Sequence, residues 1–332
     1  MNSNTKRILV IGPAWVGDMV MAQSLFMTLR EQYEDAQIDV VAPAWSMPIL
    51  ARMPEVSQGI SLPVAHKQLG LSKRWKLGRE LKAAHYDQAI VLPRSYKAAL
   101  VPFFAGIAQR TGYRGEMRYG LINDIRPLDK SVLTRTVQRY VALGLPKSAN
   151  LPPAVPYPRL KIDSGNQRRL LEQLGLKSDR PLVGLMPGAE YGPAKQWPID
   201  KYIELARRLI ARGEQVWVFG SRKEQALGEQ ITDAVQGVMN LCGKTSLEDA
   251  IDLIALCGKV VTNDSGLMHV ACATDAEVIA IYGSSSPDYT PPLSDKATVV
   301  YKNLECSPCF DRTCRFGHYN CLENIDVNEL GI

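Results

Sequence analysis

Short, almost unbroken apolar runs recur along the chain, and most of them end at a glycine or proline. Arg7-Ile8-Leu9-Val10-Ile11 stops at Gly12, Ile38-Asp39-Val40-Val41-Ala42 at Pro43, and Gln88-Ala89-Ile90-Val91-Leu92 at Pro93. Runs of this length, bounded by turn residues, read as strands buried on both faces. Helical patterns lie between them, from about Met19 to Gln32 and over Lys73–Ala84, the second with a charged face. The later part repeats the cadence, with strands at Leu182–Met186, Gln215–Phe219, Lys259–Thr262 and Val278–Tyr282. Helices are expected there at Asp200–Arg212, Lys223–Val235, Leu247–Cys257 and Leu267–Thr274. Strand and helix in alternation predict parallel sheets with crossover helices, an α/β class. Five prolines at 146, 152, 153, 156 and 158 suit neither helix nor strand and place an interdomain linker there. A length of 332 residues also favours two cores over one.

Four strand-to-helix turns carry the candidate chemistry, because ligands in open parallel sheets bind at the carboxyl ends of the strands. They are Gly12 to Asp18, Pro187 to Lys195, Gly220 to Glu224, and Asn263 to Gly266. One lies in the first half and three in the second, which predicts two nucleotide-fold lobes facing a cleft. The first turn has neither the three-glycine dinucleotide fingerprint nor a P-loop. Asp18 is read either as a helix cap or as a general base taking a proton from a sugar hydroxyl. A helix N-terminus stabilises its carboxylate and weakens it as a base. Lys195 suits a diphosphate as a compact charge, although a single lysine is most often a surface residue. Glu224 fits ribose hydroxyls and equally fits a helix dipole. Thr245-Ser246-Leu247-Glu248 reads as a capping box, with Thr245 left as a base-pocket residue. Ser265 and Gly266 would aim backbone N–H groups at a phosphate, with Asp264 on sugar hydroxyls. His269 reads as a packed, hydrogen-bonded histidine.

Charge divides unevenly. Residues 1–158 carry 20 Lys and Arg against 11 Asp and Glu, whereas residues 159–332 carry 19 against 23. A basic first lobe either serves solubility alone or meets an anionic partner such as an acidic membrane surface, and without an aromatic reader motif nucleic acid is the weaker fit and is not expected. Arg110, Arg114, Arg118 and Arg126, with Arg94 and Lys97 upstream, form its densest basic group and fit carboxylates and phosphates. No run is long and apolar enough for a membrane span, and the amino-terminal residues lack a signal-peptide core, so a cytoplasmic place is expected. Cys242, Cys257 and Cys272 read as small core residues. Cys306-x2-Cys309-x4-Cys314-x6-Cys321 reads as a structural metal site or as buried thiols, with His318 as a competing ligand.

The stretches Gly-Pro-Ala-Trp-Val-Gly-Asp-Met-Val-Met (12–21), Ala-Pro-Ala-Trp (42–45), Tyr-Arg-Gly-Glu-Met-Arg-Tyr-Gly (113–120), Pro-Gly-Ala-Glu-Tyr-Gly-Pro-Ala-Lys-Gln-Trp-Pro (187–198), Asn-Asp-Ser-Gly-Leu-Met-His-Val-Ala (263–271) and Tyr-Gly-Ser-Ser-Ser-Pro-Asp-Tyr-Thr-Pro-Pro-Leu-Ser (282–294) together resemble the lipopolysaccharide ADP-heptosyltransferase family, its type II branch in particular. The resemblance runs from about residue 7 to 323. It implies a GT-B fold of two Rossmann-like lobes, with an acceptor domain at 1–158, an ADP-heptose domain at 159–305 and a Cys-rich segment at 306–332. It implies inverting, metal-independent transfer of heptose from ADP-heptose to an inner-core lipopolysaccharide acceptor, at the cytoplasmic face of the inner membrane. Zinc, where present, would be structural. By the same resemblance Asp18 is the base. Lys195 and the Ser265, Gly266 and Leu267 amides hold the diphosphate, and Glu224, Thr245 and Asp264 contact the donor. Trp15, Arg94, Lys97, Arg114 and Arg118 face the acceptor. Transfer at another core position, or a nucleotide-sugar epimerase of similar architecture, are the alternatives.

Overall fold

The computed structural model describes residues 5–64 and 68–332. The first residues of the chain, read above for a signal peptide, lie outside them as far as Asn4. Two compact units divide the chain at Met1–Pro158 and Arg159–Ile332.

In the first unit β1 (Arg7–Ile11), β2 (Gln37–Ala42), β3 (Gln58–Ser61), β4 (Gln88–Val91), β5 (Gln109–Tyr113) and β6 (Asp124–Arg126) form one sheet in the order β3-β2-β1-β4-β5-β6. Every pairing is parallel. In the second unit β7 (Leu182–Met186), β8 (Gln215–Val218), β9 (Val238–Asn240), β10 (Lys259–Asn263), β11 (Glu277–Tyr282) and β12 (Ala297–Tyr301) take the order β12-β11-β10-β7-β8-β9, again all parallel. Counted from each unit's own first strand, both sheets have the doubly wound order 3-2-1-4-5-6. Strand order therefore reverses between β1 and β4, and between β7 and β10. The turns after β1, β7 and β10 thus lie at the two crevices where such sheets take ligands.

Helices cover the strands, so β1 and β7 are apolar without alternation. Ile8, Leu9 and Val10 are wholly buried, and each such side chain contributes about 1.5–3 kcal/mol by leaving water. The helix Val16–Gln32 starts three residues before the expected Met19 and is buried almost all round. One partner is the helix Thr136–Gly144, where a Cβ on Gly144 would stand 2.4 Å from a Leu25 methyl.

Five strands were not expected from the pattern: β3, β5, β6, β9 and β12. Three of them have only three or four residues, too few to show a period. The helix Ser164–Gln173 was missed as well, because it buries only Leu170. Its signal was the cap: Asp163 accepts N–H bonds from Gly165 and Asn166 at 2.9 and 3.0 Å. The proline-rich stretch is free of helix and strand, and its Pro156 carbonyl accepts the Ser24 hydroxyl at 2.6 Å.

Candidate active site

At the crevice of the second unit, Asn263 ends β10 and holds the turn that follows β7. Its Nδ2 donates to the Pro187 carbonyl at 2.7 Å, and its Oδ1 accepts the Trp197 N–H at 3.0 Å and the Tyr202 hydroxyl at 3.2 Å. Sequence reading passed over this buried amide as part of a motif. It fastens both ends of the 187–197 turn, and so positions Lys195.

Lys195 Nζ lies 2.5 Å from Asp264 Oδ2, with side chains 16% and 5% exposed. The two groups expected to take diphosphate and sugar hydroxyls are therefore paired with each other. Lys195 Nζ also lies 5.0 Å from the centre of the Tyr191 ring. An ammonium held by one carboxylate oxygen and an aromatic ring keeps donors for an incoming anion.

His269 is buried beside this pair, and its Nδ1 has no partner among the described residues. Burial pushes its pKa down to about 4, with Asp264 acting to raise it and Lys195 to lower it. It is a packed neutral histidine, as expected from the sequence, though without the expected hydrogen bond at Nδ1. Because the folded value lies below the unfolded 6.5, its contribution is fully present above pH 6.5. That contribution is lost as pH falls from 6.5 to 4, about 3 kcal/mol over the window. Denaturant titrations of wild type and His269→Leu across this range should diverge accordingly. Parallel curves would refute the assignment.

Glu224 stands over the same turn: a Cβ on Gly188 would meet its Oε1 at 2.5 Å. Its Oε2 accepts the Ser221 N–H at 2.6 Å in a capping box. Glu224 thus fills the capping role with Oε2, while its Oε1 is turned to the Gly188 loop. The cap near Thr245 differs from the expected one. Ser246 pairs with Asp249, not Glu248, and half-buried Thr245 precedes that cap. Ser265, Gly266 and Leu267 are half-buried at the start of the helix Gly266–Cys272.

In the first unit, Trp15 caps the helix Val16–Gln32 through its backbone and is 45% exposed. Asp18 is half-buried in the first turn of that helix, after β1. It does not occupy the cap position that one reading gave it.

The basic group divides by role. Arg110 donates to the carbonyls of Leu121, Ile107 and Gly120, and Arg126 is tied to Asp124 and the Leu145 carbonyl. Arg118 is 2% exposed and donates to the carbonyls of Pro93 and Tyr113, both at 2.6 Å. Burial, with Arg94 nearby, pulls its pKa down to about 10. Arg94 and Arg114 are exposed and Lys97 is half-buried. Gly115 packs so closely that a Cβ there would stand 2.2 Å from the Arg94 carbonyl oxygen, which brings the two arginine turns together beyond β4 and β5. Truncating Arg118 strands the buried Tyr113 carbonyl and the part-buried Pro93 carbonyl. Arg118→Ala should therefore cost about 2–4 kcal/mol in an unfolding titration. Arg114→Ala, on an exposed site, should stay within about 0.5 kcal/mol of wild type.

Cys242, Cys257 and Cys272 are buried in the second unit. Cys306, Cys309, Cys314 and Cys321 line one cavity, with about 20 Å³ of free space, together with Ala194 and Ser284. Burial pushes the Cys321 thiol up to about 11, with the other three cysteines adding to the shift. Backbone N–H groups of Tyr319, Phe316, Gly317 and His318 pull Cys314 below its ordinary value. This segment touches the Lys195 turn directly: Ala194 N–H donates to the Arg312 carbonyl at 3.1 Å, and the Tyr191 hydroxyl to that of Phe310 at 2.6 Å.

Residues 74–320 match the sequence profile of glycosyltransferase family 9 (heptosyltransferase). Lipopolysaccharide heptosyltransferase 2 of Escherichia coli K12 is 51% identical over 304 residues, covering 89% of this chain and 87% of that protein. Lipooligosaccharide heptosyltransferase 2 of Haemophilus influenzae is 48% identical, covering 88% of each. The solved ADP-heptose LPS heptosyltransferase II of E. coli superposes with a TM-score of 0.87 at 46% identity, over 98% of this chain and 96% of that one. Two doubly wound parallel sheets on that template are the GT-B fold. With the family's sequence pattern across both units, the chain belongs to glycosyltransferase family 9, the heptosyltransferases, and is a glycosyltransferase.

Proposed function

We propose that the chain moves L-glycero-D-manno-heptose from ADP-heptose to the first heptose of a heptosyl-Kdo-lipid A acceptor in lipopolysaccharide inner-core synthesis. The observation that carries this reading is the likeness, at about half of all positions and across both units, to relatives named heptosyltransferase 2. The second unit binds the donor. Lys195 and the amides of Ser265, Gly266 and Leu267 take the diphosphate, Asp264 takes donor hydroxyls, Glu224 the ribose and Thr245 the base. The paired lysine and aspartate support this division, since an anion arriving at Lys195 releases Asp264 to accept sugar hydroxyls.

The first unit binds the acceptor, and Asp18 accepts the proton of the attacking hydroxyl. Attack on the anomeric carbon then displaces ADP with inversion. Charge developing on the leaving diphosphate is met by Lys195 and the three amides, which supply fixed electrostatic stabilisation without a catalytic metal. Exposed Arg94 and Arg114, with Trp15 and Lys97, meet the acceptor's carboxylates and phosphates. Arg118 shapes that surface from beneath. No described helix is long and apolar enough to cross a membrane. The basic first unit and a lipid-borne anionic acceptor favour peripheral contact with the inner membrane at its cytoplasmic face.

A transfer assay with ADP-heptose and a panel of truncated inner-core acceptors tests the reading. Product is expected on the acceptor ending in a single heptose. Transfer only to Kdo-lipid A, or isomerisation of donor without transfer, would overturn it.

A further inference from the structure

The helix Leu71–Leu81 packs against the first unit through Arg74, Leu77, Gly78 and Leu81, the i, i+3, i+4, i+7 spacing of one helical face. Gly78 sets the depth of that packing: a Cβ there would stand 2.5 Å from the Phe104 Cβ and 2.8 Å from the Val101 carbonyl oxygen. Arg74 is 6% exposed and donates its Nε–H to the Leu69 carbonyl at 2.7 Å. With the inward face filled in this way, Leu71 and Trp75 belong to the outward one. They are 51% and 54% exposed, and Leu69, two residues before the helix, is 49% exposed.

The same outward face is basic. Lys73, Lys76, Arg79 and Lys82 are exposed there, and Glu80 is the one acidic side chain over residues 69–84. Among the described residues none of these four cations is in an ion pair. At 3.6 residues per turn Leu71, Trp75, Arg79 and Lys82 form one stripe along the helix, with Lys76 beside it. The helix follows β3, so its first turn lies toward the carboxyl end of the sheet. Lys97 fastens the loop before it: its Nζ donates to the Gln68 carbonyl at 3.4 Å, and Lys97 follows β4 in the same turn as Arg94. The stripe therefore starts beside the turn assigned to the acceptor.

We propose that the outward face of residues 69–82 docks on an anionic lipid bilayer, with Leu69, Leu71 and Trp75 at headgroup level and Lys76, Arg79 and Lys82 on lipid phosphates. The proposal names the surface that makes the peripheral contact, and it rests on the reading of the first unit as the one that takes a lipid-borne acceptor. A tryptophan suits the headgroup layer because its ring is apolar and its one N–H can still find an acceptor. Lysine and arginine stems cover apolar surface while their heads reach the phosphates. A second copy of the same face would set these cations against their own kind, and a nucleic acid would match the cations but offer no apolar layer to the two leucines. An anionic bilayer satisfies both sets of side chains at once.

The test is flotation of the full chain with lipid vesicles, without donor or acceptor, so that the readout is independent of sugar transfer. Vesicles of phosphatidylcholine mixed with phosphatidylglycerol should bind the chain about a hundredfold more tightly than phosphatidylcholine alone, since each cation near an anionic surface is worth about fivefold, and added salt should close the gap. Brominated lipids should quench a component of the tryptophan emission that Trp75→Phe lacks. Lys76→Glu/Arg79→Glu and Leu71→Ser/Trp75→Ser should each weaken binding about tenfold or more. Arg168→Glu/Arg207→Glu, the same charge change on exposed residues of the second unit, should not. Both first-unit variants should keep wild-type transfer to an acceptor dispersed in detergent. Equal binding of wild type to the two vesicle types, or unaltered binding by both first-unit variants, would overturn the proposal while normal transfer left the acceptor reading standing. The expected vesicle binding with no transfer to any acceptor would instead defeat the acceptor reading and leave the bilayer surface standing. Self-association that Leu71→Ser/Trp75→Ser abolishes, without vesicle binding, would give this face to a second copy and overturn the proposal. The wild-type comparison of the two vesicle types decides the matter even where a variant fails to fold.

Discussion

Asp18→Asn should bring turnover nearly to a halt while ADP-heptose still binds. The substitution keeps the size and most of the hydrogen bonding of the side chain and removes its capacity to take a proton. A positioned general base contributes about 10²- to 10⁴-fold, so kcat should fall by that factor, with the donor dissociation constant within a few-fold of wild type. Asp18 sits in the first turn of the helix Val16–Gln32, where an acidic side chain contributes about 0.3–1 kcal/mol. Loss of stability should stay in that range, which separates a chemical role from a structural one. Steady-state kinetics with donor titration by calorimetry check the prediction, and an unchanged kcat removes Asp18 as the base.

Lys195→Met should damage both fold and chemistry, and the two effects can be separated. Its ammonium is paired with Asp264 at 2.5 Å, and that carboxylate is 5% exposed. Removing one member of a buried pair leaves the other charge uncompensated, at about 3–5 kcal/mol. For a unit of this size the midpoint of thermal unfolding should drop by about 10 °C. The double variant Lys195→Met/Asp264→Asn removes the stranded charge and should recover much of that loss. Catalysis should not recover. One donor aimed at developing charge is worth about 10²–10³ in rate, and neither variant can supply it. Calorimetry and kcat/KM on both proteins check this. A double variant with restored rate would show that Lys195 acts only through the pair.

The two effects mark the boundary between pattern and packing. That Lys195 and Asp264 belong to strand-end turns follows from the apolar runs before them, Leu182–Met186 and Lys259–Asn263. That these two side chains meet across 69 positions of chain follows from β7 lying beside β10, a pairing that local periodicity does not carry. The arginines teach the same point from the other side. In sequence Arg110, Arg114, Arg118 and Arg126 look alike, yet Arg110, Arg118 and Arg126 are spent on the protein's own carbonyls and carboxylate, and Arg114 is exposed. Spacing and composition do not report which guanidinium is buried, because burial depends on strands β5 and β6 and the turns that join them.

By itself the sequence determined the class of the fold, the chief strands, the strand-end turns that hold the candidate residues, and the family. Each of these is written in short-range signals: apolar runs, glycine and proline stops, and long motifs in fixed order. Tertiary structure decided which of the named side chains are partners. It also decided that Asn263 fastens the lysine turn, and that four cysteines spread over sixteen positions reach a single cavity against it. Those facts arise from contacts between segments distant along the chain, whose energies are set by close packing and shared burial.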